Sequence, residues 1–276
     1  MATALLVAGC AGRPSVLDRA ALLADRGDHR GAIAELSGHL ERHPKAVPER
    51  RLLIRVLALS GRFGQAQQQA DVLARQLGPD SPTPYIELGH AYELSHRYDA
   101  ALEAYDRAAE VAPADAAGPR TGGLRAARWG EAELAEPRLS EALRRNPADS
   151  EGWHALGVVR MRLGDSAGAR RAYLAGLVAD PQDLTHRVGL ATLALHDGRP
   201  ADALAEYDRI LAARPELADA HLGRSWALIQ LGRLQAARAA LADARAAGAD
   251  PQAVRRQLAL LDALEAGPPG GDVAPR

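Results

Sequence analysis

Cysteine is nearly absent from this chain of 276 residues, and Cys10 is its single instance. One thiol cannot form a disulfide within the chain, and it cannot build a cysteine-based zinc site. The sequence also has no phosphate-binding loop, dinucleotide fingerprint or nucleophile elbow. No apolar run approaches the roughly 18 residues that cross a bilayer as a helix. We therefore expect a protein that is not an enzyme, with no catalytic residue, metal, cofactor or small-molecule substrate.

The chain also lacks an excess of charge of either sign. Its 34 basic and 35 acidic residues give a formal net charge of −1, whereas nucleic-acid binders usually carry a clear basic excess. Aromatic residues make up only 4% of the chain. Alanine, leucine, arginine and glutamate dominate, and these residues favour helices over strands. The composition therefore predicts an all-α protein that does not bind nucleic acid.

A repeat of 34 residues runs through the sequence. One copy begins near Ser150 and carries its marker residues at Trp153, Leu156, Gly157, Gly164, Ala169, Tyr173 and Pro181. Another copy carries them at Tyr85, Leu88, Gly89, Tyr92, Ala101, Tyr105, Ala108 and Pro113. This spacing resembles the tetratricopeptide motif. The resemblance implies an all-α fold, a right-handed superhelical solenoid of about seven helix-turn-helix repeats with a C-terminal capping helix.

At this period the solenoid covers residues 13–266. We expect repeats at 13–46, 47–81, 82–115, 116–149, 150–183, 184–217 and 218–251, and a cap at 252–266 in which Leu258 and Ala259 point inward. A turn residue separates the two helices of each repeat, at Gly27, Gly61, His96, Gly130, Gly164, Gly198 and Gly232. A small residue early in each second helix lets the two helices approach closely, at Ala32, Ala66, Ala101, Ala135, Ala169, Ala203 and Ala237.

The repeat at 116–149 departs from this pattern. Gly122 and Gly123 replace the usual anchors, and Pro137 falls inside the second helix, where it removes a backbone hydrogen bond. Gly118 and Pro119 are expected to weaken the start of the first helix. We hypothesise that this repeat is the least stable and divides the solenoid into two stiffer arms; the alternative is a kinked repeat that its neighbours hold rigid.

Residues 1–12 are interpreted as the remnant of a lipoprotein signal. The segment Val7-Ala8-Gly9-Cys10 resembles a bacterial lipobox, which implies cleavage before Cys10 and acylation of its thiol. No basic residue precedes the short apolar run, so the alternative is an N-terminal segment with an incidental cysteine. Ala11 implies, by resemblance to lipoprotein sorting in Gram-negative bacteria, an outer-membrane protein that faces the periplasm. Residues 267–276 are rich in proline and glycine and predict a disordered tail.

The resemblance also implies a groove for a protein partner, because first helices line the concave face of tetratricopeptide arrays. The predicted groove residues are Arg51, Arg55, His90, Arg120, Arg128, His154, Val158, Met161, Arg162, Val188, Leu195, Leu222, Trp226 and Ile229. Arginine and tryptophan are residue types that often dominate binding energy. The alternative is that Leu222 and Trp226 pack against the capping helix. Chaperone-tail binding is not expected, since the inner positions lack the asparagines of a carboxylate clamp.

The leading hypothesis for function is a non-catalytic, lipid-anchored scaffold. The stretches Gly152-Trp153-His154-Ala155-Leu156-Gly157-Val158 and Val254-Arg255-Arg256-Gln257-Leu258-Ala259-Leu260 resemble the TadD-type lipoprotein of tight-adherence (Flp) pilus systems. That resemblance implies a pilotin-like role with a secretin or another pilus-assembly component as partner, and a membrane contact through the lipid anchor alone. A pilotin of type IV pili is the nearest rival, and a cytosolic adaptor for a soluble complex is the alternative class.

Overall fold

The computed structural model describes residues 14–266, and all regular structure in that range is helical. The all-α prediction is therefore confirmed for these residues, while Cys10 and residues 1–12 lie outside them. The helices are α1 Val16–Asp25, α2 His29–Arg42, α3 Val47–Leu59, α4 Phe63–Leu77, α5 Thr83–Leu94, α6 Tyr98–Val111, α7 Ala117–Trp129, α8 Ala132–Arg145, α9 Ser150–Arg162, α10 Ser166–Ala179, α11 Thr185–His196, α12 Pro200–Ala213, α13 Ala218–Gln230, α14 Leu234–Ala246 and α15 Pro251–Ala266.

The helices group into two compact units, one ending at Ala126 and one beginning at Ala127. In the first unit, the hairpins α1–α2, α3–α4 and α5–α6 stack so that α3 and α5 each pack on both helices of the preceding hairpin. In the second unit, α8 packs on α9, the hairpins α9–α10, α11–α12 and α13–α14 follow, and α15 packs on α13 and α14. Odd-numbered helices up to α13 are called first helices below, and even-numbered ones second helices.

The turn between the two helices of each repeat has a left-handed backbone. All seven predicted turn residues adopt φ between 57° and 92° there, and His96 is the one that is not glycine. Glycine takes such values without a Cβ clash, which explains its recurrence. Aspartates then begin several helices: the side chains of Asp28, Asp149 and Asp165 each accept a hydrogen bond from the backbone N–H three residues later. Such caps satisfy donors that a helix leaves unpaired at its start.

Close approach of helices depends on the small residues that the repeat pattern singled out. All seven predicted alanines of the second helices, from Ala32 to Ala237, are completely buried. Tyr173 shows the same requirement in α10. An added Cβ at Gly157 of α9 or at Gly189 of α11 would come within 3.0 Å of the Tyr173 ring. The ring therefore fills a slot between the first helices of two successive repeats, and glycine is needed on both sides.

The repeat that departs from the pattern is helical throughout. α7 is one helix that contains the buried Gly122 and Gly123, and α8 continues through Pro137. The expectation that Gly118 and Pro119 weaken the start of α7 is not what the packing shows. A Cβ at Gly118 would lie 2.6 Å from the backbone nitrogen of Ala109, so this glycine permits a close approach of α7 to α6. Pro119 lies in the first turn, where a backbone N–H has no partner within the helix.

α15 covers the last hairpin with a mixed surface. Val254 and Leu261 are buried and Leu258 is half-buried, but Ala259 is exposed, so the prediction that Ala259 points inward is wrong. The helix turns Val254, Leu258 and Leu261 toward α13 and α14, and Ala259 falls outside that stripe. Arg238 of α14 donates to Asp262 at 2.6 Å and to Glu265 at 2.7 Å. These ion pairs therefore add a charged contact between α14 and α15 to the apolar one.

Candidate functional site: the first-helix surface

The predicted groove residues occupy three environments on the first helices. Exposed side chains are those of Arg51, Arg55, Arg128, Arg162, Val188 and Trp226. Half-buried ones are those of His90, Arg120, His154, Val158, Met161, Leu195 and Leu222. Ile229 is only 8% exposed, because it packs with Leu228, Leu241 and Leu261 in the core formed by α13, α14 and α15. Ile229 was therefore wrongly assigned to an accessible surface.

In the first unit, two predicted groove arginines contact a glutamate that was not among the predicted site residues. Glu87 of α5 is 6% exposed, and Arg51 of α3 donates to it from Nε at 2.9 Å and also from Nη2. Arg55 approaches the other carboxylate oxygen at 3.8 Å. A buried carboxylate needs such partners, because an unpaired charge in the interior is costly. The arginines join two neighbouring hairpins, and two guanidinium groups, each nearly half exposed, face one carboxylate.

A second charged cluster follows along the same surface. The Tyr105 hydroxyl donates to Glu93 at 2.6 Å, and Arg125 lies 3.2 Å from the same carboxylate oxygen. Burial is the main cause that raises the pKa of Tyr105, so the phenol keeps its proton. The ring of His90 meets Tyr105 edge-on at 5.7 Å. Burial also lowers the pKa of His90, which leaves it uncharged at neutral pH. His90 is thus an uncharged part of the surface and adds no positive charge.

In the second unit the first-helix surface combines the exposed Arg128 and Arg162 with apolar side chains on α9, α11 and α13. Val188 is 43% exposed and Trp226 is 37% exposed, on α11 and α13 respectively. Val158 and Met161 of α9 are half-buried against the core around Tyr173, whose hydroxyl lies 3.3 Å from the Met161 sulfur. Leu222 packs against two core clusters that include residues of α15. For Leu222, the alternative that it packs against the capping helix therefore holds in part. Exposed Val188 and Trp226 with half-buried neighbours make a surface suited to apolar contact.

A polar cluster at the starts of α9 and α11 is a further feature that sequence reasoning missed. His186 is completely buried, and its Nε2 lies 2.8 Å from the Ser150 hydroxyl and 3.6 Å from Asp183. Burial lowers the pKa of His186, and the Asp183 carboxylate opposes this effect. These are the residue types of a hydrolase triad, but the hydroxyl and the carboxylate both face Nε2. Nδ1 is buried without a hydrogen-bond partner in residues 14–266. The arrangement joins two repeats and does not activate a nucleophile.

His39 of α2 and His43, which directly follows the end of that helix, form a pair of neighbouring imidazole rings. The rings of His39 and His43 lie 4.4 Å apart, and Glu49 of α3 comes within 3.7 Å of His39. No group of three side chains suited to hold a metal ion occurs among residues 14–266. Within the same range, no helix combines the length and the apolar character that a membrane crossing requires.

Comparison with known proteins agrees with this geometry. Tetratricopeptide-repeat family models match residues 82–115, 121–183 and 188–254, which is more than half of the chain. A TPR repeat-containing protein of Pseudomonas aeruginosa is 36% identical over 73 residues, which are 26% of this chain and 57% of that relative. The match therefore spans less than two thirds of the relative's length.

Three solved structures share the fold at low sequence identity. The C-terminal part of a TPR repeat-containing protein from Cytophaga hutchinsonii has a TM-score of 0.64 at 13% identity, over 87% of this chain and 98% of that one. MamA has a TM-score of 0.56 at 16% identity, over 60% of this chain and 91% of that one. The Cut9–Hcn1 complex has a TM-score of 0.51 at 15% identity, over 91% of this chain and 49% of that one. The chain belongs to the tetratricopeptide-repeat family.

Proposed function

We propose that the chain is a non-catalytic scaffold that binds a partner protein on the first-helix surface of its second unit. The tetratricopeptide fold itself supports a role in protein–protein interaction. The observation that carries the more specific proposal is the exposure of Trp226, at 37%, in the same surface as Val188, at 43%. Exposed apolar side chains that the core does not need favour an interface, and tryptophan is a frequent anchor of such interfaces.

The charges of the two units favour different parts of a partner. In the first unit Arg51 and Arg55 share one buried carboxylate, Glu87, so their cluster keeps one positive charge. In the second unit the large exposed side chains of α11 and α13 on this surface, Val188 and Trp226, are apolar. We infer that the first-helix surface of the second unit takes an apolar part of the partner at Trp226. Taken by itself, the arginine cluster of the first unit suits carboxylates.

We further propose that the scaffold is a lipoprotein of the outer membrane. The support is the resemblance of Val7-Ala8-Gly9-Cys10 to a lipobox, with Cys10 as the acylated residue. The stretches around Trp153 and Leu258 that resemble the TadD-type lipoprotein support a role in assembling a tight-adherence pilus. In that role the partner is a secretin or another pilus-assembly component, and the lipid is the sole membrane contact.

A photo-crosslinking amino acid at position 226, in protein expressed in its native host, tests the binding surface. We expect a discrete crosslinked product that mass spectrometry identifies as one partner. The control position is Tyr98, which is also a large exposed side chain at 43% but lies at the start of a second helix. Equal crosslinking from positions 98 and 226 to the same proteins would show that the surface has no specific partner.

Intact-mass spectrometry with membrane fractionation tests the lipid anchor, using protein expressed from its native locus with the upstream sequence included. Cleavage before Cys10, added acyl chains and recovery in the outer membrane are the expected results. An unacylated chain that retains Met1 in the soluble fraction would refute the anchor and the pilus role. The scaffold function would then be that of a cytosolic adaptor.

A further inference from the structure

The surface of α10 carries two large apolar side chains that face solvent. Leu174 and Val178 lie one helical turn apart, and they are 47% and 83% exposed. Neither belongs to the nearby core cluster, in which Ala169 and Tyr173 of α10 pack with Leu190 and Leu193 of α11. A valine that is 83% exposed contributes little to the folding of its own chain. Folding of the chain therefore does not explain why these two exposed side chains are apolar.

The other repeats show that the fold does not need apolar residues at these two places. The positions equivalent to Leu174 hold Ser37, Asp71, Asp106, Ser140, Asp208 and Ala242. The positions equivalent to Val178 hold Glu41, Arg75, Glu110, Arg144, Ala212 and Ala246. Among the seven second helices that the structure describes, α10 is the one with a large apolar residue at both positions. The same backbone elsewhere carries small or charged residues, so the apolar pair is particular to α10.

A groove of about 240 Å³ lies beside Leu174, between α10, α11 and α12. Leu190 and Leu193 of α11, which are 9% and 1% exposed, form its floor together with Leu174. The volume is sufficient for one or two apolar side chains of a partner, and apolar walls with a polar rim are typical of such sites. The groove extends the exposed apolar surface of α10 into a concave site.

The rim of this groove carries three arginines, Arg170, Arg199 and Arg209, and two carboxylates, Asp202 and Glu206. Arg170 and Arg171 of α10 form no ion pair within residues 14–266, and Arg170 lines the groove. Arg199 and Arg209 also lie on the rim, but each is paired with a carboxylate: Arg199 with Asp202, and Arg209 with Glu206. The unpaired positive charge therefore comes from α10, next to Leu174. A partner that places carboxylates there gains electrostatic complementarity.

We propose that Arg170, Arg171, Leu174, Val178 and the adjoining groove form an outer docking patch for an acidic amphipathic helix of a partner protein. The spacing of Leu174 and Val178 by four residues matches the spacing of apolar side chains on one face of such a helix. Pairing of α10 with α10 of a second copy is disfavoured, because it would bring four unpaired arginines together. The patch belongs to second helices and is separate from the surface that carries Trp226, so the scaffold can hold two partners at once.

The probe for this proposal is a capped, fluorescein-labelled helical peptide of about 18 residues, long enough to form a helix. It carries leucines at helical spacing with glutamates on both flanks, and a matched peptide carries lysines in place of the glutamates. Fluorescence anisotropy with the full chain measures both affinities. We expect saturable binding of the glutamate peptide, and binding of the lysine peptide that is weaker by about tenfold or more.

The double variant Leu174→Asp, Val178→Glu gives α10 the residue types that other second helices have at these positions, so it should fold normally. We expect it to bind the glutamate peptide about tenfold more weakly or worse. Leu264→Asp is the matched control, because Leu264 of α15 is also 47% exposed, and its affinity should be unchanged. Circular dichroism confirms that both variants keep their helix content.

Three results would overturn the proposal. The first is the absence of saturable binding to the wild-type chain, and the second is equal affinity for the two peptides. The third is wild-type dimerisation, by sedimentation velocity, that the double variant abolishes, since this would assign the patch to a second copy. None of these results bears on crosslinking at position 226. The experiments therefore test the proposals for the outer docking patch and for the first-helix surface independently.

Discussion

The substitution Gly189→Ala tests whether Tyr173 locks two repeats together. The new Cβ would lie 2.5 Å from the Tyr173 ring, where an ordinary contact needs at least about 3.4 Å, so roughly 1 Å must be made up by movement. The ring cannot yield in the opposite direction, because Gly157 confines its other side. Overpacking of this kind costs about 1–3 kcal/mol, whereas the helix propensity of alanine returns at most about 1 kcal/mol. We expect a net loss on the order of 1–2 kcal/mol.

Thermal and urea unfolding followed by circular dichroism measure this loss, and hydrogen exchange locates it at α10 and α11. The control is Gly38→Ala in α2, where an added Cβ meets nothing within 4 Å and helix propensity should raise stability. Tyr173→Leu in the Gly189→Ala background should restore part of the loss, because the chain itself uses Leu139 and Leu241 at the equivalent positions. If Gly189→Ala is as stable as Gly38→Ala, the interpretation of Tyr173 as a lock is refuted.

Two further perturbations concern the second unit. Lowering the pH from about 7.5 to about 5.5 should destabilise it through His186, whose folded-state pKa lies below its usual value. The unfolded chain then binds the proton more readily than the folded one, so the wild-type melting temperature should fall more than that of His186→Gln; equal falls would contradict this. Pro137→Ala should stabilise α8 by up to about 3 kcal/mol, because the alanine introduced there has a backbone N–H that can donate to the Glu133 carbonyl. Increased amide protection in α8 is the readout, and unchanged exchange would mean that the helix is already adapted to Pro137.

Local signals in the sequence predicted the fold because they repeat. The turn glycines, the alanines of the second helices and the 34-residue period each reflect a requirement inside one hairpin, so one copy supports the interpretation of the next. His96 shows the strength of the pattern, since it adopts φ of 57° at a position where other repeats have glycine. The 34-residue period therefore predicts the turn even where its residue disfavours a positive φ.

The surface was harder to predict, because its residues depend on the neighbouring hairpin. Glu87 looks like any solvated glutamate in the sequence, yet Arg51 of the preceding hairpin covers it. Ile229 was assigned to the groove by its register in α13, but α14 and α15 bury it from two sides. Gly118 was interpreted as a weakness of its own helix, whereas its role is set by the backbone of α6. Each case requires contacts between repeats that periodicity within one repeat does not contain.

The slot around Tyr173 also limits how this array can be shortened. Deleting 184–217 would place Gly223, which already faces Tyr207, at the register of Gly189, so Tyr173 would again meet a glycine. Deleting 150–183 would instead place Leu139 against Gly189, and a leucine in a slot shaped for tyrosine leaves a void. Repeats of equal length are therefore not interchangeable. A truncation that preserves the packing must keep the tyrosine of a second helix next to a glycine of the following first helix.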